Sequence, residues 1–131
     1  MDALFINPNS AQKAYQDLSV TFSAIEPPTW SLLLAESCRS IGFKVGIFDA
    51  DAERLDLNQS IKKITNLNPR LIVFVIYGQN PNSGTTSMIG ALELAGALKD
   101  SGRDYKVAFV GRIQVHYPSM FCHTIVLILF Y

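Results

Sequence analysis

The chain has 131 residues, 49% of them hydrophobic and 17% charged, enough for one domain with a buried core and within the globular range of composition. Eleven basic residues balance eleven acidic ones, with no cationic stripe to bind nucleic acid and no acidic tail. No run approaches the ~18 apolar residues of a membrane span.

Met1 to Ile6 has no cationic segment ahead of its apolar residues, so no secretory signal is read there. Ala3 to Ile6 is a short strand, ended by Asn7-Pro8-Asn9-Ser10, because proline and asparagine break pairing and favour turns. Residues 11–28 show no clear period and read as a long loop, a feature that in compact domains is functional or mobile. Pro27-Pro28 closes it and Thr29 is placed to cap a helix. Trp30, Leu33, Leu34, Cys38 and Ile41 recur there at helical spacing, and Gly42 stops it. Phe43 to Phe48 is the second strand, ended by Asp49-Ala50-Asp51. Asp56 can cap a second helix with Leu57, Ile61, Ile64 and Leu67 on one face, and Asn68-Pro69 ends it.

Arg70 to Tyr77 is the third strand. The stretch from Tyr77 to Ser87 that follows holds two glycines, a proline, two asparagines and four hydroxyl residues. As a loop it is longer and more polar than a strand-to-helix connection requires. It reads either as a capped turn held by Thr85, Thr86 or Ser87, or as a ligand loop offering N–H groups, hydroxyls and a helix N-terminus. The third helix runs from Met88 to Ser101 with Met88, Ile89, Leu92, Ala95 and Leu98 turned inward, and Gly102 ends it. Tyr105 to Val110 is the fourth strand, followed by Gly111. Thr124 to Phe130 can supply a fifth. Trp30, Phe43 and Phe74 read as core.

Strands and helices alternate, and the strands are nearly continuous apolar runs covered on both sides. The expected fold is α/β: a doubly wound parallel sheet of four to five strands with right-handed crossovers, in three αβα layers. Ligands bind such sheets outside the carboxyl ends of the strands, where the strand order reverses. That edge gathers Asn7 to Glu26, Asp49 to Asp51, Tyr77 to Ser87 and Gly111 to Ser119.

Several chemistries fail at this edge. A phosphoacceptor receiver needs an aspartate ending the third strand, where Tyr77-Gly78 stands, and its acidic pair follows the first strand, whereas Asp49 and Asp51 follow the second. No Gly-x-Gly-x-x-Gly follows the first strand, so Asp49 reads as a strand-end or capping group. A mononucleotide phosphate loop would follow the first strand, and the hydroxyl-rich stretch follows the third. Ser83-Gly84-Thr85-Thr86 lacks the lysine of a Walker loop. Cys38 and Cys122 make no disulfide framework, and His116, Cys122 and His123 lack zinc spacing. No Gly-x-Ser-x-Gly elbow is present, Glu93 reads as a solvent-facing helix residue, and no catalytic or metal-ligating set is assigned.

Four ordered pieces carry a resemblance: Leu4-Phe-Ile-Asn-Pro8; Glu26-Pro-Pro-Thr-Trp-Ser-Leu-Leu-Leu-Ala-Glu36 running on through Gly42-Phe-Lys-Val to Phe48-Asp49; Pro69-Arg-Leu-Ile-Val-Phe-Val-Ile-Tyr-Gly78 with Gln79-Asn-Pro-Asn-Ser-Gly-Thr-Thr-Ser87; and Ala97-Leu-Lys-Asp-Ser-Gly102 with Val107 to Gly111. Together, over about residues 2–111, they resemble the N-terminal cobalamin-binding domain of cobalamin-dependent radical SAM proteins, the group that includes anaerobic magnesium-protoporphyrin monomethyl ester cyclase. The resemblance implies a flavodoxin-like sheet with the corrin ring over the strand ends and its nucleotide tail running between sheet and helices. It makes Tyr77, Gly78, Gln79, Asn80, Ser83, Gly84, Thr85, Thr86 and Ser87 the candidates for the tail. Asn7, Pro8 and Asn9, with Gly111, would line the ring's rim.

The chain departs from the family in three ways. It lacks the Asp-x-His-x-x-Gly that supplies histidine to cobalt in methionine synthase-like domains, which radical SAM members commonly lack too; His116 is the one alternative axial ligand. It has no Cys-x-x-x-Cys-x-x-Cys, so an iron–sulfur cluster and S-adenosylmethionine would belong to a missing radical SAM domain, supplied in cis or trans, and this chain is not expected to be catalytic alone. After Gly111 the likeness fades. Residues 1–119 form the cobalamin-binding-like domain, and residues 120–131 an atypical apolar tail or last strand, expected to mark a truncation or a shifted frame and prone to aggregate. The expected setting is cytoplasmic, with cobalamin as partner and neither nucleic acid nor membrane. The alternatives are a flavodoxin-like nucleotide-binding or regulatory domain without cobalamin, and a structural fragment with no ligand.

Overall fold

A computed structural model describes residues 1–9, 27–77, 81–111 and 125–127. The elements in order are β1 (Ala3–Asn7), α1 (Thr29–Ser40), β2 (Val45–Asp49), α2 (Leu57–Leu67), β3 (Leu71–Ile76), α3 (Pro81–Asp100), β4 (Lys106–Gly111) and β5 (Ile125–Leu127). The sheet order is β2-β1-β3-β4-β5. The first four strands are parallel, pairing Ile6 with Phe48, Ile6 with Phe74, and Phe74 with Phe109. This is the flavodoxin-like doubly wound α/β arrangement in three layers. The fifth strand joins β4 antiparallel, with Gly111 opposite Ile125. The long loop expected after β1 and most of the apolar tail lie outside the described residues.

Side chains alternate across the strands, and the core divides accordingly. On one face Leu4, Ile6, Phe48, Ile72, Phe74, Ile76, Val107 and Phe109 meet Ile64 of α2 and Ala91, Leu94 and Leu98 of α3. On the other, Ala3, Phe5, Val73, Val75 and Ala108 meet Ala35, Leu34 and Cys38 of α1. Leu4, Ile6, Phe48, Ile64, Ile72, Phe74, Ile76 and Leu98 are fully buried, each contributing about 1.5–3 kcal/mol of transfer free energy. The rings of Phe74 and Phe109 stack at 5.3 Å.

The helix ends follow local chemistry. Asp56 accepts from the Gln59 amide at 2.8 Å and the Gln59 side chain accepts from the Asp56 amide at 3.0 Å, a capping box. Asn68 ends α2 in the left-handed region at φ 44°. Gly42 and Gly102 follow α1 and α3 at φ 95° and 77°, where a Cβ would be strained.

Four expectations are corrected. The N-cap of α1 is Pro28, not Thr29, whose hydroxyl instead donates to the Pro27 carbonyl at 3.3 Å. The inward line of α1 passes through Ser31 and Ala35, leaving Trp30, Leu33, Ile41 and Phe43 exposed, so Trp30 and Phe43 are not core. The third helix starts at Pro81, not Met88: proline suits a first helical position, where its missing N–H costs nothing. The stretch Ser83 to Ser87 is therefore helical, and no long loop spans it. Ile89 and Leu92 point outward, and Ala91 and Leu94 take their place. Because α3 from Met88 to Leu98 is apolar on nearly every side, its spacing does not select a buried face.

Candidate functional site at the carboxyl edge

The chain leaves β1 to build β2 on one side and β3 on the other. The strand order therefore reverses between β1 and β3, the place where such sheets bind ligands. Asn7, Pro8 and Asn9 come off β1 on one lip; Tyr77 comes off β3 on the other, and Gly111 ends β4 beyond it. These candidates share the edge. Gly78, Gln79 and Asn80 lie outside the described residues. Ser83, Gly84, Thr85, Thr86 and Ser87 lie in the opening turns of α3.

The β1 lip is held from the β2 side. The Asn7 side-chain amide donates to the Asp49 carboxylate at 3.0 Å, and the same carboxylate oxygen accepts the Ala52 amide at 3.0 Å. The Ala50 amide donates to the Asn7 carbonyl at 3.0 Å. Asp49 is thus a brace between two strand ends as well as the end of β2. Asn9 reaches further and donates to the Leu55 carbonyl at 3.4 Å. Pro8 is buried.

Two glycines set the spacing of the edge. A Cβ on Gly90 of α3 would lie 2.5 Å from the Asn9 carbonyl oxygen, and one on Gly111 would lie 2.0 Å from the Ile76 carbonyl oxygen. Gly90 therefore lets α3 approach the end of β1, and Gly111 keeps β4 against β3 at its last paired residue. Under the edge, Asn9, Ala50, Leu55, Asp56, Ser60, Gly90, Glu93 and Leu94 enclose a cleft of about 220 Å³ between α2, α3 and the β1 and β2 ends. Glu93 is exposed, as expected, and borders this cleft.

On the other face Tyr77 stacks on Trp30, ring centroids 4.6 Å apart and planes 21° apart. Sequence reading assigned Trp30 to the core and missed it here. The available signal was Pro27-Pro28 immediately ahead of it, which places Trp30 in the first turn of α1, beside the strand ends. Gly90 was missed also; a glycine inside an otherwise strong helical pattern was its signal.

Among the described residues no group of three or more histidine, cysteine, aspartate or glutamate side chains is arranged to hold a metal ion. His116, the alternative cobalt ligand, lies outside them, as do Cys122 and His123. No described helix is long and apolar enough to cross a membrane. Compared with protein-family models the chain matches none, and no curated protein matches it.

Proposed function

We propose that the chain is a cobalamin-binding module of radical SAM type, holding the corrin over the carboxyl edge and carrying no catalytic domain of its own. The observation that supports this best is the reversal of strand order between β1 and β3, with Asn7, Pro8 and Asn9 at the end of one strand and Tyr77 at the end of the other. A corrinoid rim is ringed with amides, and the side-chain oxygens of Asn7 and Asn9, whose NH2 groups are held by Asp49 and Leu55, would accept from such amides. The opening turns of α3, with Ser83, Thr85, Thr86 and Ser87, would take the phosphate and ribose of the nucleotide tail near a helix N-terminus. When bound, cobalamin supplies a cobalt centre for methyl or electron transfer. The iron–sulfur cluster and S-adenosylmethionine of the parent chemistry would sit on a radical SAM partner domain, in a cytoplasmic setting.

The test is reconstitution. Purified protein incubated with hydroxocobalamin should keep about one corrin per chain through gel filtration, and Ser83, Thr85 and Thr86 replaced together by leucine should lower retention. Colourless protein after the column removes this reading. The same helix N-terminus after β3 favours one second reading, a flavodoxin-like nucleotide-binding or regulatory domain. Retention of FMN without cobalamin would select it.

A further inference from the structure

Trp30 and Tyr77 form an aromatic pair at the carboxyl edge. Trp30 is 52% exposed, although tryptophan is on average one of the more buried residues. The backbone just ahead of it is set by local bonds. Thr29 donates both its amide, at 2.7 Å, and its hydroxyl, at 3.3 Å, to the Pro27 carbonyl, and Pro28 fixes the backbone immediately before. Tyr77, half-buried against the Val75 and Val110 face of the sheet, supports the indole from below. The result is a wide aromatic surface, half open to solvent, at the β3 lip of the carboxyl edge.

We infer that Trp30, backed by Tyr77, is a ligand-binding residue: a flat conjugated ring of the bound molecule lies against this pair. This rests on reading the carboxyl edge as the ligand site, and it deepens that reading by naming the residue that receives the ring. If the pair only pinned α1 to β3, a smaller apolar side chain would serve and half of an indole would not be left in water. A ring ligand gains from both the area and the π-face, which binding sites use because every planar heterocycle can stack there regardless of its edge pattern.

The chain has a single tryptophan, so its fluorescence reports on this position alone. The parent protein, Trp30→Leu and Trp30→Phe are titrated with hydroxocobalamin and, separately, with FMN. Affinity is read by ultrafiltration, ligand geometry by visible circular dichroism, and folding by far-ultraviolet circular dichroism. Trp30→Leu keeps apolar bulk and removes the ring, and should weaken binding about 10-fold and change the visible dichroism of bound ligand. Trp30→Phe should recover to within about threefold. Tyr77→Leu provides the same comparison from the supporting ring. Equal affinity and identical visible dichroism in parent and Trp30→Leu overturn the inference while leaving the corrinoid reading intact. If FMN is retained and cobalamin is not, the corrinoid reading falls and the FMN comparison judges Trp30. Retention of neither ligand overturns both.

Discussion

Gly111→Ala tests the packing on which the candidate site stands. Gly111 faces Ile76 in the parallel register of β3 and β4, and both residues are buried. The added methyl carbon would sit 2.0 Å from the Ile76 carbonyl oxygen, 2.7 Å from its carbonyl carbon and 3.0 Å from its Cβ. Two of those three atoms are main chain, so no rotamer change relieves the contact. The strand ends must part by about 1 Å or more to restore van der Waals distance. Overpacking of this kind costs about 1–3 kcal/mol, and a weakened ladder hydrogen bond adds about 1 kcal/mol. With a urea slope of about 2 kcal/mol per molar, this total of about 2–4 kcal/mol should lower the unfolding midpoint by about 1–2 M with the slope unchanged. Gly96→Ala is the internal standard. It lies in α3 with nothing within 4 Å of the new Cβ, and should raise stability by about 0.4–1 kcal/mol through lower unfolded-state entropy. A Gly111→Ala midpoint within about 0.3 M of the parent would refute the close approach of β4 to β3 and the edge geometry built on it.

Two further substitutions probe neighbouring features. Gly90→Ala pushes a Cβ to 2.5 Å from the Asn9 carbonyl oxygen; thermal melts should show a loss of about 1–3 kcal/mol, and corrin retention should drop with it because the β1 lip moves. An unchanged melting temperature would contradict the α3–β1 contact. Asp56→Ala removes the capping box of α2 and should cost about 1 kcal/mol in urea, whereas Asp56→Asn, which still caps, should lose much less. Equal losses in the two variants would assign the effect to charge.

Local chemistry was legible where one residue governs one feature. Asp56, Asn68, Gly42 and Gly102 mark helix ends by capping or by backbone conformation, and each stands where its type predicts. The strands were legible because both faces of a parallel sheet are covered, which writes them as unbroken apolar runs. Within the helices spacing is a weaker guide. The alanines, leucines and isoleucine of α3 surround its axis, so spacing places Met88, Ala95 and Leu98 on the core correctly but names Ile89 and Leu92 where Ala91 and Leu94 are buried. In α1 the largest side chains, Trp30 and Leu33, were mistaken for its packing face; small residues, Ser31 and Ala35, occupy that face because the helix lies close on β1 and β2. Pro81 was read as part of a loop although proline also begins helices.

The candidate site divides in the same way. Sequence alone determined the alternation of strands and helices, the α/β class and which segments reach the carboxyl edge, since these follow from periodicity and from the geometry of parallel crossovers. Tertiary structure decided the rest: that Asp49 braces Asn7, that the stretch from Ser83 to Ser87 is helix, that Gly90 meets Asn9, and that Trp30 lies against Tyr77 instead of entering the core. The helix over Ser83 to Ser87 is local and follows from its start at Pro81; the other three are contacts between residues far apart in the chain, set by how closely two backbones approach, and no spacing along the sequence encodes that distance.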